Sequence, residues 1–203
     1  MKKPDTQNGR GFSFVEMMVI ISVLGLVLAV GTQPLIQYLR HSQSSNSAQL
    51  VAGILRKARS RAICEKNEYV VFFDLANSSL SILDDDGGGK GDPSDPRFVK
   101  ANRGNATHDP GEIIMGPFTL PSGQVFGFVG SAVDPEGNYV SSSITFSGDP
   151  PRVIFYPNGS TNEKGMVFVM PDEKYRKQEK GLDKMLVIER STGNVAIVAP
   201  EYN

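Results

Sequence analysis

One acidic residue lies inside the longest apolar stretch of the chain. Residues 12–30 read Phe-Ser-Phe-Val-Glu-Met-Met-Val-Ile-Ile-Ser-Val-Leu-Gly-Leu-Val-Leu-Ala-Val, and Glu16 is the only charged residue among them. A carboxylate surrounded by hydrocarbon is costly to bury, so Glu16 is a candidate functional residue. No Lys or Arg occurs between Glu16 and Arg40, and the nearest basic residue is Arg10. A partner for this charge is therefore expected at the N-terminus.

The other residue types that carry out chemistry do not form a recognisable group. His41 lies in a polar helical turn, and His108 lies in a stretch rich in turn-forming residues. Neither position indicates a catalytic histidine. The glycines at 87–91 precede no helical pattern, whereas a phosphate-binding loop opens a helix. The sequence predicts that the protein is not an enzyme and has neither catalytic residues nor a cofactor.

Two further features concern metals and thiols. The Asp-rich and Gly-rich residues 84–95 could supply oxygen ligands to Ca²⁺, but they lack the Asp-x-Asn-x-Asp-Gly spacing with a later Glu. The pattern favours a solvated acidic turn over a calcium site, and we predict no metal. Cys64 is the only cysteine, which excludes an internal disulfide. Its position favours the interpretation that Cys64 serves as a small apolar side chain near the end of the helix. The alternative is that it forms a disulfide bridge to another chain.

Length and charge indicate one globular domain behind a membrane segment. The chain has 203 residues and a net charge of −1, and removing residues 1–11, with three basic residues and one acidic, leaves −3. This balance disfavours a nucleic-acid partner. Residues 12–34 are long and apolar enough to span a bilayer, and the basic leader indicates that the N-terminus stays in the cytoplasm. A signal anchor with an isolated Glu is an alternative, whereas no small-x-small site supports a cleaved secretory signal.

The helix is expected to continue past the membrane segment through residues 35–66. Gly31 and Pro34 predict a kink, because proline removes a backbone donor. Beyond them, one apolar stripe consists of Val51, Leu55, Ala58 and Ala62. Another face carries Arg56, Lys57, Arg59 and Arg61. These charges favour a solvated helix face over a nucleic-acid or lipid-headgroup patch.

From residue 67 the pattern changes to that of β-strands. Residues 67–203 predict a β-rich globular domain with an exposed loop at about 84–111. The predicted strands are 69–75, 79–83, 112–115, 124–128, 144–146, 152–156, 165–170, 185–190 and 194–198. The predicted fold class is therefore α+β, with a long N-terminal helix, half transmembrane and half amphipathic, packed on an antiparallel β-sheet.

The N-terminal residues resemble those of type IV prepilins and type II secretion pseudopilins. A short basic leader ends at Gly11, Phe12 follows, and a carboxylate comes four residues later within an apolar run. The resemblance implies the pilin fold and cleavage by prepilin peptidase between Gly11 and Phe12, with N-methylation of Phe12. The new amine would neutralise Glu16, of its own chain or of a neighbour, and set the register between packed helices. Gly25 and Pro34 would match the family's helix break, which lets the segment extend in a fibre.

The C-terminal residues resemble the GspH/FimT class of minor pseudopilins and minor pilins. The shared pattern is Phe155-x-Pro157-x-Gly159, then strands, then Thr192-Gly193 before the last strand. The resemblance implies a structural subunit that is incorporated in, or primes the tip of, either a type IV pilus or a type II secretion pseudopilus. Its partners would be other pilins or pseudopilins and an inner-membrane assembly platform. It would be a single-pass inner-membrane protein with a periplasmic domain, and in assembled form it would be part of the fibre.

The alternative function within this class is a DNA-binding or adhesive receptor. Some members bind DNA through arginines directly after the Thr-Gly, but here those positions hold Asn194, Val195 and Ala196, with only Arg190 nearby. The basic residues at 174–184 alternate with acidic ones, which indicates a soluble loop instead of a phosphate-binding track. DNA capture is therefore disfavoured.

Overall fold

The structure is a computed structural model that describes residues 13–85, 106, 108, 112–130, 132–134 and 136–202. The chain divides into two units, residues 1–39 and residues 40–203. Gly11, Phe12 and most of the predicted loop at 84–111 lie outside the described residues. The secondary structure combines a long N-terminal helix with antiparallel strands, so the predicted α+β class is confirmed.

Helix α1 spans Phe14–Glu65, and its first part belongs to the N-terminal unit. Between Phe14 and Leu28, the polar side chains of α1 are Glu16 and Ser22, and Ser22 donates to Met18 O at 2.7 Å. The helix runs through both Gly25 and Pro34 without ending.

Within the described residues, no helix combines the length and the apolar character that crossing a membrane requires.

The second part of α1 carries a buried stripe in the C-terminal unit. Val51, Leu55, Ala58 and Ala62 are each completely buried, as the spacing predicted. The two alanines are small, so the neighbouring strands can pack close to the helix. At the C-terminal end of the helix, the Tyr69 hydroxyl donates to Glu65 Oε2 at 2.6 Å. Burial, followed by this hydrogen bond, raises the pKa of Tyr69 far above its ordinary value.

The C-terminal unit contains two four-stranded antiparallel sheets. Their strands are β1 Tyr69–Asp74, β2 Ser79–Asp84, β3 Ile113–Thr119, β4 Gln124–Phe126, β6 Arg152–Phe155, β7 Gly165–Pro171, β8 Lys184–Ile188 and β9 Val195–Val198. The first sheet has the order β3-β2-β1-β6, and the second sheet has the order β4-β7-β8-β9. A further pair joins β5, Ala132–Val133, to β10, Glu201–Tyr202.

One core joins both sheets to α1. Its members include Leu55 of the helix, Phe73 of the first sheet and Val169 of the second. The Phe73 ring packs edge-on against Phe126 and stacks on Phe146, with centroids 5.9 Å apart in each pair. The C-terminal half of the helix therefore closes a core that neither sheet could bury alone.

Three local predictions differ from the structure. Residues 172–177, predicted as part of a polar loop, form the short helix α2, Asp172–Lys177. The predicted strand at 144–146 is reduced to one bridge, between Ile144 and Val167. Within the predicted exposed loop, Asp85 and Ala106 are buried, and the Ala106 N–H donates to Asp85 Oδ2 at 2.9 Å.

Candidate assembly surface

The N-terminal part of α1 presents apolar side chains on all its sides. Every described side chain from Phe14 to Leu28 is exposed, including Phe14 at 79% and Leu26 at 70%. We call Phe14–Leu28 the apolar helix surface. A helix that is apolar all round is stable in lipid or among other helices, and not alone in water. This surface can therefore pack against a partner of the same chemistry.

Glu16 is the only charged residue on the apolar helix surface, and it lies in the first turn of α1. A negative charge is favourable there, because the helix dipole places partial positive charge at the N-terminus. In the described part of the chain, Glu16 has neither a hydrogen bond nor an ion-pair partner. Its carboxylate is thus available to a cation outside the described residues or on another chain.

The predicted site residues on α1 have different environments. Gly25 has open space around it, since a Cβ built there would meet no atom within 4 Å. Pro34 lies within the continuous helix. Gly11 and Phe12, the predicted cleavage site, lie outside the described residues.

The two C-terminal sequence motifs meet at one side chain of α1. Arg59 Nε donates to the carbonyl oxygen of Gly159 at 3.2 Å. Gly193, of the Thr-Gly motif, packs against both, because a Cβ built on it would lie 2.2 Å from Gly159 O and 3.2 Å from Arg59 Cδ. Both glycines have positive φ, 83° at Gly159 and 59° at Gly193. The motifs therefore anchor two turns to the helix.

Arg56 makes a second link between α1 and the C-terminal hairpin. Its Nη2 donates to Val195 O at 2.8 Å. Val195 begins β9, which is an edge strand of its sheet. An arginine on an edge-strand carbonyl satisfies a group that would otherwise be open to pairing with another chain. The basic face that was interpreted as solvated thus includes two arginines with structural roles, while Lys57 lies 5.6 Å from the centroid of the Phe118 ring.

The positions of the alternative DNA-binding function do not form a basic surface. Val195 is buried and Ala196 is exposed, and neither carries charge. The basic residues of α2 are paired with acidic ones: Arg176 with Asp172 at 2.9 Å, Lys177 with Glu173 at 2.8 Å, and Lys174 with Glu179 at 2.5 Å. These pairs agree with the interpretation of this region as a soluble segment.

The remaining candidates lie apart from one another. Cys64 is exposed near the C-terminus of α1, so it adds nothing to the core and stays accessible to a bridge between chains. His41 and His108 are both exposed. In the part of the chain that the structure describes, no three His, Cys, Asp or Glu side chains are arranged to hold a metal ion.

Sequence reasoning missed the link between α1 and the hairpin. In the sequence, Arg56 and Arg59 resemble solvated basic residues, because their hydrogen-bond acceptors lie 139 and 100 residues further along the chain. A weak signal was present in the two glycines, since Pro-Asn-Gly and Thr-Gly are typical of turns.

A family model described as the prokaryotic N-terminal methylation motif matches residues 7–32. This match confirms the prediction of a prepilin-type N-terminus, which was based on Gly11, Phe12 and Glu16 within the same residues. No curated protein matches the chain in sequence.

Several solved structures are similar to the structure of this chain. Two are of the minor pseudopilin EpsH from the Type 2 Secretion System of Vibrio cholerae. One is 12% identical and covers 77% of this chain and 97% of that chain, with a TM-score of 0.46. The other is 16% identical and covers 80% and 97%, also with a TM-score of 0.46. A third, of the type IV minor pilin FimU of Pseudomonas aeruginosa, is 12% identical and covers 80% and 92%, with a TM-score of 0.42.

Proposed function

We propose that this chain, which carries the prepilin-type methylation motif, is a minor pilin or minor pseudopilin: a structural subunit of a type IV pilus or a type II secretion pseudopilus. The observation that carries the proposal is the methylation motif at residues 7–32, with its single carboxylate at Glu16. The exposed apolar helix surface supports it, since such a surface needs lipid before assembly and other helices after it.

The N-terminus is processed in this proposal. Prepilin peptidase cleaves between Gly11 and Phe12, and the new amine of Phe12 is methylated. The Phe12 amine then lies one helical turn from Glu16, because residues four apart are neighbours on a helix. In the absence of water, an ammonium and a carboxylate stabilise one another far more than either is stabilised by hydrocarbon.

Assembly follows from this charge pair. The Phe12 ammonium can face Glu16 of its own chain or Glu16 of the next subunit. The pair between subunits forms only when the two helices are aligned at one position along their axes. The apolar side chains around Glu16 then pack without further polar requirements. The pair sets the register and the apolar surface supplies the contact area.

The proposed location follows the same features. The basic leader stays in the cytoplasm, the apolar segment anchors the subunit in the inner membrane, and residues 40–203 lie in the periplasm. The partners are prepilin peptidase, an inner-membrane assembly platform and other pilins or pseudopilins that contact the apolar helix surface.

The substitution Glu16→Ala tests the role of the carboxylate. We expect normal leader cleavage, because the cleavage site is unchanged, and a loss of incorporation into fibres of about tenfold or more, because the register pair is gone. Immunoblots of sheared filaments measure incorporation, and the mobility of the membrane-bound form measures cleavage.

The matched control is Ser22→Ala, which removes a polar group from the same helix and leaves the charge in place. Among the described residues, its hydroxyl bonds only to the backbone one turn earlier, so incorporation should stay near that of the wild type. Wild-type levels of Glu16→Ala in filaments would show that the carboxylate has no part in assembly.

A further inference from the structure

Asn158 and Gly159 form the dipeptide in which deamidation of a side chain is chemically easiest. In this reaction the backbone nitrogen of the following residue attacks the Asn carboxamide, and glycine has no Cβ to hinder the approach. Asn158 is exposed, so solvent reaches its carboxamide. The same dipeptide occurs at Asn8-Gly9, which lies outside the described residues. Neither Asn158 nor Gly159 has a part in the proposed assembly.

Both reacting groups of Asn158-Gly159 are held in other hydrogen bonds. The Gly159 N–H, which must lose its proton to become the nucleophile, donates to Tyr156 O at 2.8 Å. Asn158 Oδ1 accepts from the backbone N–H of Ser160 at 2.9 Å and from its hydroxyl at 2.7 Å. The attack therefore requires that the first bond breaks and that the carboxamide rotates away from Ser160. The intact turn slows the reaction.

Helix α1 holds the turn at 156–160 in this conformation. Gly159 is buried, and its carbonyl oxygen accepts from Arg59 Nε at 3.2 Å. A Cβ built on Gly159 would lie 3.0 Å from Ile63 Cδ1, so the turn packs directly on the helix. Gly193 closes the other side, since a Cβ built there would lie 2.2 Å from Gly159 O. Opening of the turn thus requires that it leaves Arg59.

We propose that Asn158 is a site of spontaneous deamidation, and that the contact of the turn at 156–160 with α1 sets its rate. In the opened turn, the Gly159 nitrogen bonds to Asn158 Cγ. The side-chain nitrogen leaves as ammonia and takes with it the proton that Gly159 lost. The resulting cyclic imide takes up one water, which gives aspartate when one carbonyl is hydrolysed and isoaspartate when the other is. The reaction requires neither cleavage of the leader nor assembly.

Isoaspartate at position 158 is expected to uncouple the turn from α1. The main chain then runs through the former side chain, which inserts one methylene group before Gly159. The close contact between Gly159 O and Gly193 leaves little room for this displacement. The hydrogen bond from Arg59 is then lost, and the turn stays open. Because the release of ammonia is irreversible, the modified fraction records how long the turn has been open.

The test uses the full unprocessed chain in maltoside micelles, kept in mildly alkaline buffer and sampled over time. Mass spectrometry of the peptide that contains Asn158 measures the exchange of its amide for a carboxylate, and labelling by isoaspartate methyltransferase measures isoaspartate. We expect Arg59→Ala to convert about ten- to a hundredfold faster than the wild type, since loss of a charged donor favours the opened turn. Arg61→Ala is the control, because Arg61 pairs with Glu65 and should leave the rate unchanged.

Arg59→Met is a second variant, in case Arg59→Ala does not fold. It keeps an apolar stem beside Gly193 and removes only the donor, so it should also convert faster. Asn8 in the same samples checks the buffer, and its rate should be the same in all variants. Equal rates at Asn158 in the Arg59 and Arg61 variants, or in folded and urea-unfolded wild type, would overturn the proposal. So would an Asn158 that stays unmodified in the unfolded chain.

Discussion

Gly193 combines a left-handed backbone with a close contact. Its φ is 59°, and a Cβ built on it would lie 2.2 Å from the carbonyl oxygen of Gly159. The positive φ would strain the backbone of any residue that has a Cβ. The close contact means that this Cβ would clash with the backbone of Gly159 unless the backbone moved. The position therefore admits glycine alone.

We predict that Gly193→Ala lowers the free energy of unfolding by about 2–4 kcal/mol. Chemical denaturation of the full chain in detergent micelles, followed by circular dichroism, measures this change. Gly123→Ala is the control, since Gly123 has a φ of 80° but open space around it, so it should lose only about 1 kcal/mol. Equal losses in the two variants would mean that the contact with Gly159 does not matter.

Asp183 is a buried acid whose charge destabilises the fold. It is 5% exposed, and its Oδ2 has no hydrogen-bond partner. Burial raises the pKa of its carboxyl above the ordinary value of 3.8, although backbone hydrogen bonds oppose the shift. The pKa of Asp183 is higher in the folded state than in the unfolded state. The loss of stability caused by its charge is therefore absent at pH values below 3.8 and complete at pH values above the folded-state pKa.

Asp183→Asn should therefore raise the Tm at pH 7, by about 2–6 °C, because the variant removes the charge and keeps the shape. The gap between variant and wild type should narrow as the pH falls towards 3.8. Thermal unfolding at a series of pH values measures it. A gap that is independent of pH would contradict the role of the charge.

At the scale of elements, two arginines bind the C-terminal half of α1 to two other segments, the last hairpin and the turn at 156–160. Arg56 donates to Val195 O on the edge strand β9, and Arg59 donates to Gly159 O on a neighbouring turn. Both acceptors are backbone carbonyls, so the link depends on the path of the chain and not on the side chains there. The hairpin and the helix are expected to unfold together.

Arg59→Ala should lower the free energy of unfolding by about 1–3 kcal/mol, because a charged donor to a backbone carbonyl is lost. Arg61→Ala is the matched control on the same helix. Arg61 faces Glu65 in a partly exposed pair with 3.9 Å between the charged atoms, which contributes about 0–0.5 kcal/mol. Denaturation of both variants under one condition compares them. If the two losses are the same, Arg59 acts only as a surface charge.

At the scale of the whole molecule, the proposed function requires that the leader is removed before the apolar helix surface takes part in assembly. With residues 1–11 attached, Phe12 has no free amine, and Glu16 lacks the partner that the proposal assigns to it. In the proposed function, cleavage therefore converts an anchored precursor into a subunit that can join a fibre.

We expect Gly11→Ala, or a larger residue at this position, to trap the uncleaved precursor in the membrane, because the proposed cleavage follows Gly11. The mass of the chain purified from its native host distinguishes the forms. Gly9→Ala, also in the leader, should be processed normally. A wild-type chain that keeps Met1 in its host would contradict the processing step.

The sequence by itself determined the features that depend on local pattern. The apolar run with Glu16, the stripe of Val51, Leu55, Ala58 and Ala62, and the β1–β2 hairpin follow from periodicity, and the structure has the last two as expected. Such patterns are local because residues three or four apart on a helix, or two apart on a strand, share a face.

Only the tertiary structure decided which distant residues meet. The sequence did not predict helix α2, because it has no apolar stripe. Its acidic and basic residues, which form i,i+4 ion pairs in the structure, are equally common in polar loops. The contacts of Arg59 with Gly159 and the burial of Gln124 depend on how the sheets pack against α1. A hydrogen bond between residues 100 positions apart leaves no periodic trace, because its energy depends on the path of the whole chain.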